Sequence, residues 1–266
     1  MQIGLFVNMP MLTKEEIKEE LSFYGENGIK LAGLIFESPW GPHDIDGDWI
    51  SEIEGVLKKF GMLTVIHAPF VMNNMLSISE KYRKLSLEEV RLCIDFAKKL
   101  GSHSVTIHMG RTTSYSLKGE IFKKAMVESL REILNYSKSK NVEISIENLP
   151  VKKEFRQPYP RTESEMRELE KISKDVRFCI DTGHIFEGGL DLYGFIESFI
   201  GRANCMHLHD ATREKDHLVI GKGEIDFERI FSILEKSGYD GPVLLENLDK
   251  EECMESYNRL KELGLA

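Results

Sequence analysis

The sequence has no hydrophobic run of about 18 residues, so no membrane span is expected. It lacks a basic n-region followed by a small-residue cleavage site. Met1-Gln2-Ile3-Gly4-Leu5-Phe6-Val7 therefore reads as a first strand rather than a signal peptide, and a cytoplasmic location is expected. No block of Lys and Arg stands out, and the net charge is −9. Phosphate recognition wants clustered positive charge, so a nucleic-acid partner is disfavoured, though not excluded. The four cysteines, Cys93, Cys179, Cys205 and Cys253, have no CxxC spacing. Cys179 and Cys205 lie inside apolar, strand-like runs, and buried free thiols in a reduced compartment are expected. No GxGxxG follows the first strand, which argues against a dinucleotide fold. Low-complexity tracts, linkers and short repeats are also missing.

What is present is a soluble, core-forming composition, 41% hydrophobic and 30% charged over 266 residues. Short β-rich runs alternate with longer helical patterns. Strands are expected at Ile3–Val7, Leu31–Phe36, Leu63–His67, Ser104–His108, Val142–Glu147, Val176–Asp181, Ala203–Leu208 and Val243–Glu246. Helices are expected between them. The first starts at Thr13, with Glu16 completing a capping box. The second starts at Asp48 and runs to Phe60, stopped by Gly61. Then come Ser79–Leu100, closed by Gly101, and Gly119–Lys140, with apolar residues at helical spacing. Another helix is capped by Thr162 with Glu165, and Leu190–Ile200 follows. The last two run from Asp226 to about Gly238 and from Lys250 to Leu263. Residues 149–161 carry three prolines and read as a loop, and residues 209–224 read as a polar loop. Eight strand–helix units in strict alternation imply parallel strands with right-handed crossovers. At this length they imply a single (β/α)₈ TIM barrel spanning 1–266.

Six consecutive strands end in a residue able to bind a metal or move a proton: His67, His108, Glu147, Asp181, His207 and Glu246. A lone histidine there is usually a hydrogen-bonded loop residue, and a lone carboxylate usually caps the next helix. In a barrel, however, these ends converge on one mouth, where active sites of this architecture lie. Three carboxylates and three imidazoles crowded there would repel and desolvate one another, and a divalent cation resolves that conflict. The donor set points to Mn, Zn, Co, Fe or Mg. His184, three residues after Asp181, and Arg213 and His217, on the loop after the seventh strand, join the candidates. Arg213 can clamp a hydroxyl or phosphate, or be a surface charge. Asn8 and Glu37 fall at the same end. His43 and His103 look peripheral.

Several segments carry a family resemblance over essentially the full length: His67-Ala68-Pro69, Ile146-Glu147-Asn148, Cys179-Ile180-Asp181-Thr182-Gly183-His184, Met206-His207-Leu208-His209-Asp210, Asp216-His217-Leu218 through Gly221-Lys222-Gly223, and Leu245-Glu246-Asn247. Together they resemble the xylose-isomerase-like barrels, which include sugar and sugar-phosphate isomerases and epimerases and the endonuclease IV group of abasic-site nucleases (AP endonuclease family 2). The epimerase branch implies one divalent ion (Mn, Co, Mg or Zn) on Glu147, Asp181, His207 and Glu246. There the two glutamates act as acid and base, the metal stabilises an enediolate, and a small sugar, sugar phosphate or related keto-polyol is the substrate. His67, His108, His184, Arg213 and His217 would then face the substrate. The nuclease branch implies up to three zinc ions on His67, His108, Glu147, Asp181, His184, His207, His217 and Glu246. Lys215 stands where that pattern has an aspartate, and Asn148-Leu149-Pro150-Val151-Lys152 replaces its small, Gly-rich stretch. Barrels of this kind often pair, so a homodimer stands open beside a monomer.

Overall fold

The computed structural model describes residues 1–113, 119–151 and 156–266. The chain builds β1 (Gln2–Val7), α1 (Lys14–Glu26), β2 (Leu31–Ile35), α2 (Gly47–Phe60), β3 (Leu63–His67), α3 (Glu80–Leu100), β4 (Ser104–Ile107) and β5 (Gly110–Thr113). Next come α4 (Glu120–Lys140), β6 (Glu143–Glu147), β7 (Arg156–Tyr159), α5 (Glu163–Ile172), β8 (Phe178–Asp181) and α6 (Thr182–Glu187). The chain finishes with α7 (Leu192–Phe199), β9 (Ala203–Leu208), α8 (Phe227–Ser237), β10 (Pro242–Leu245) and α9 (Lys250–Glu262). Strands β1, β2, β3, β4, β6, β8, β9 and β10 close into a parallel barrel, with β10 pairing back onto β1. This is the single (β/α)₈ architecture that the alternation implies.

Local chemistry sets the element ends. Thr13 with Glu16 and Thr162 with Glu165 form reciprocal capping boxes. Gly61, Gly101 and Gly238 close α2, α3 and α8 in the left-handed conformation, which costs glycine nothing. Three expectations need correction. The cap of α2 is Asp46, whose carboxylate accepts from the Trp49 amide at 2.7 Å; Asp48 sits inside the first turn. The helix expected at Leu190–Ile200 begins at Leu192, and a separate short helix, α6, precedes it. The proline-rich stretch is not all loop, because Arg156–Tyr159 pairs antiparallel with Gly110–Thr113 in a two-stranded ribbon. Pro158 is tolerated there because each strand of a ribbon has a free edge. Residues 152–155 of that stretch lie outside the described residues.

The main core lies between the barrel and its helices. A second cluster fills the barrel itself: Phe6, Leu31, Ile35, Val65, Cys179, Cys205 and Leu244. It is the apolar floor on which the mouth residues stand. The Phe6 ring meets the His207 ring edge-on at 4.9 Å. All four cysteines are free and buried, as the sequence implies. Among the described residues, no helix is long and apolar enough to cross a membrane.

Candidate functional site

Alternation along each strand sends every second side chain into the barrel. His67, Glu147, Asp181 and His207 end β3, β6, β8 and β9 or lie at their last turn inward, while His108 and Glu246 directly follow β4 and β10. The barrel brings them together. Glu147, Asp181, His207 and Glu246 each offer a ligand atom within 4.8 Å of the others. In strand order β6, β8, β9, β10 the two glutamates flank the aspartate and the histidine.

Asp181 does two jobs at once. One carboxylate oxygen caps α6 by accepting from the His184 amide at 2.7 Å. The other lies 3.1 Å from His209 Nε2. The His217 amide donates to His209 Nδ1 at 2.8 Å, so the proton of His209 sits on Nε2 and is donated to Asp181. Asn148 supports the same strand end. Its side chain donates to the Asp181 carbonyl and accepts from the Asp181 amide, both at 2.9 Å, continuing the β6–β8 ladder by one rung. Gly183 is required here, because a Cβ would lie 1.9 Å from a carbon of the His209 ring.

Glu147 is buried at the centre. One of its oxygens faces His108 at 3.1 Å, His67 at 3.2 Å and His207 at 3.5 Å; the other faces His184 at 3.4 Å. Burial pushes the Glu147 carboxyl up, but the imidazoles of His207 and His108 pull it further down, leaving it well below the carboxylate range. Glu246 follows the same logic: burial opposes ionisation, and His207 and His217 outweigh it. For Asp181, burial again raises the carboxyl and His184 and His209 lower it more. The carboxylates are therefore ionised. Burial disfavours charge on His67, yet its bond to Glu147 wins and raises it; His67 Nδ1 also points at the Ala68 carbonyl, 2.8 Å away, so both nitrogens face acceptors. On His108 burial prevails, and it is lowered. His217 is pushed up to about 11, because bonds to Asp216 and Glu246 overcome its burial.

This arrangement fits a divalent ion. His207 is fully buried, and Nδ1 lies 2.7 Å from Glu246 Oε2. Yet neither ring nitrogen of His207 nor that oxygen has a partner of hydrogen-bonding geometry. Buried polar atoms are ordinarily satisfied. Donor atoms that crowd together without bonding to one another are aimed at a common third body, and one imidazole with three carboxylates suits a hard or borderline cation. Two further groups flank the quartet: His67 with His108 and Glu147, and His184 with His209 and His217.

His67, His108, His184 and His217 thus all join the cluster. Arg213 does not. It is exposed on the β9–α8 loop, its guanidinium stacked 4.3 Å from the Phe186 ring centroid and bonded to the Phe186 carbonyl at 2.6 Å. Glu37 pins the β3–α3 loop by accepting from the Phe70 and Val71 amides, and Asn8 donates to the Leu248 carbonyl. His43 pairs with Glu89 away from the site. His209 is the buried site residue that the candidate set lacked. The signal was available, since His207 and His209 are two apart and so share a face. The loop carrying His217 is held by Asp210, whose carboxylate accepts from the amides of Ala211, Gly221, Gly223 and Ile225. His217 itself sits at φ 55°, unusual for a residue with a Cβ and frequent at functional sites.

A family model described as a xylose isomerase-like TIM barrel matches residues 23–263. The chain belongs to this family. The chain is 30% identical to the protein MJ1311 of Methanocaldococcus jannaschii, over 84% of this chain and 77% of that one. It is 25% identical to a probable endonuclease 4 of Haloarcula marismortui, over 93% of each. A solved structure of a D-tagatose 3-epimerase-like protein superposes with a TM-score of 0.84 at 25% identity, covering 98% of this chain and 96% of that one. The family resemblance read from the motifs is therefore correct, and both of its branches are represented among the similar proteins.

Proposed function

We propose that this chain is a divalent-metal-dependent isomerase or epimerase acting on a small sugar, a sugar phosphate or a related keto-polyol. The observation that carries this reading is the quartet of Glu147, Asp181, His207 and Glu246, with two glutamates flanking the other two ligands. All four would hold one divalent ion. When bound, the ion supplies Lewis-acid stabilisation of negative charge on the substrate's carbonyl and neighbouring hydroxyl oxygens.

The chain's own groups supply the proton transfers. Glu246 is the more accessible glutamate, at 15% side-chain exposure against 1% for Glu147. It takes the proton from the substrate carbon, and Glu147, held by His67 and His108, serves the opposite face. His108, His184 and His217 line the site as donors to substrate hydroxyls, while His67, with both nitrogens on acceptors, positions Glu147. Arg213, held on Phe186, stands outside this set. The apolar floor beneath excludes water from below. The test is incubation of a panel of ketoses and their phosphates in deuterated water with the Mn-loaded protein. Solvent deuterium at a substrate carbon, absent with Glu246→Gln, supports the reading; no exchange with any member overturns it.

The two flanking groups favour one alternative, a metal-dependent phosphodiesterase of the endonuclease IV type, with up to three zinc ions. His209 stands beside His184 and His217 on the side where Lys215 departs from the nuclease pattern. This alternative requires incision of abasic duplex DNA that weakens steeply with salt. No incision at low salt with zinc supplied removes it.

A further inference from the structure

One group of metal-binding donors belongs to neither reading. Cys179 and Cys205 are register partners on adjacent parallel strands β8 and β9, one inward position below Asp181 and His207. Both are completely buried in the apolar filling of the barrel, among Phe6, Val65 and Leu244. Their sulfurs and a ring nitrogen of His207 lie within 4.8 Å of one another. Cys205 Sγ also lies 3.9 Å from the Met206 carbonyl, and Cys253 Sγ lies 3.7–4.0 Å from the carbonyls of Phe6, Leu245 and Asn247; what sets Cys179 and Cys205 apart is the shared group with His207.

We propose that Cys179, Cys205 and His207 form a second, sulfur-rich metal site beneath the mouth, taking a soft thiophilic ion of the Cu(I), Ag(I) or Cd(II) class. The spacing fits: zinc-length bonds of about 2.3 Å to sulfur already span donors roughly 4.6 Å apart, the larger soft ions reach further, and these donors lie within 4.8 Å of one another. The chemistry fits too. Two thiolates and one imidazole select soft ions, whereas the carboxylate quartet above selects hard or borderline ones. A second observation points the same way: both ring nitrogens of the fully buried His207 lack a hydrogen-bond partner, so either nitrogen can turn a lone pair to the site it faces once its proton is lost. An apolar wall strengthens the bonds by keeping water off the sulfurs. Because His207 is shared, an ion held below competes for, or bridges through, the ligand of the quartet above.

The probe is Cd(II), titrated into the full-length protein after the quartet has been saturated with Mg(II). The readout is the near-ultraviolet sulfur-to-cadmium charge-transfer band, which carboxylates cannot give. One band saturating at one equivalent is expected. It disappears in Cys179→Ala and in Cys205→Ala, and persists in Asp181→Asn, which damages only the upper site. Failure of the proposed enzymatic reading therefore leaves this result untouched. Absence of the band in the wild-type chain overturns the proposal, whether or not the alanine variants fold. So does a band that survives both alanine changes, or a disulfide joining Cys179 to Cys205 in the purified protein.

Discussion

Glu246 and Glu147 are chemically alike, yet their neighbours place them in different surroundings. Glu147 is clamped by imidazoles on both oxygens, while Glu246 keeps one oxygen without a partner of hydrogen-bonding geometry. Glu246→Gln is expected to lower turnover by about 10²–10⁴-fold, the usual share of a general base, with an unchanged circular dichroism spectrum. A near-normal rate contradicts the assignment. His209 acts one step further out, by holding Asp181 in place. Loss of such a supporting partner typically costs about 10–100-fold in metal affinity. His209→Gln is expected to show that loss by calorimetry. Metal binding also depends on pH. The His207 imidazole is held well above its ordinary value: burial opposes its charge, but Cys179, Glu246 and Glu147 favour it more. The metal-free protein thus carries a proton there at neutral pH, and the ion must displace it. Affinity is therefore expected to rise by about tenfold per pH unit through the neutral range, with about one proton released per ion, measurable by titration in buffers of different ionisation enthalpy. The six strand-end residues were legible in sequence because each closes an apolar run. His209 was equally legible from its spacing of two from His207, whereas the position of Arg213 depends on its stack with Phe186, which no local pattern encodes.

At the scale of elements, the β9–α8 loop is organised by one buried carboxylate. Asp210 gathers four amides spread from residue 211 to residue 225 and so holds His217 in its left-handed conformation over the mouth. Bonds to a charged acceptor contribute about 1.5–3 kcal/mol each at most, and replacing the acceptor leaves amides without a partner. Asp210→Asn is expected to raise amide exchange across 211–225 while leaving exchange in α3 and α4 unaltered. Uniform loosening of the whole barrel contradicts a local role. Strands and helices followed from hydrophobic period and caps, because each of those signals is local. The β5–β7 ribbon did not, since its pairing joins segments more than forty residues apart and one of its strands carries a proline. The split between α6 and α7 escaped for a related reason. Asp181 caps a helix while serving the site, so the functional segment reads as a strand end and a helix start at once.

The whole molecule is a closed barrel whose interior is divided into layers: an apolar floor, a charged mouth above it, and a ring of helices outside. The mouth concentrates carboxylates and imidazoles at a cost in desolvation that the proposed cation would offset. An ion that binds only the folded chain stabilises it by mass action, by about 2.7 kcal/mol at a concentration 100 times Kd. For a chain of this size that corresponds to a melting-temperature rise of roughly 5–10 °C. Thermal unfolding with and without a chelator checks this, and identical curves contradict it. Fold class and the direction of the mouth were legible because eight units in alternation admit few topologies. Substrate choice was not, since it resides in loops whose sequence carries no periodicity.

The central claim is that Glu147, Asp181, His207 and Glu246 together hold a catalytic cation. Elemental analysis of the protein purified without added metal or chelator tests it most directly. The account predicts about one tightly bound Mn, Co or Mg-like ion per chain, lost in Asp181→Asn. A wild-type protein free of any tightly bound divalent ion contradicts it, and two or three zinc ions per chain transfer the weight to the phosphodiesterase.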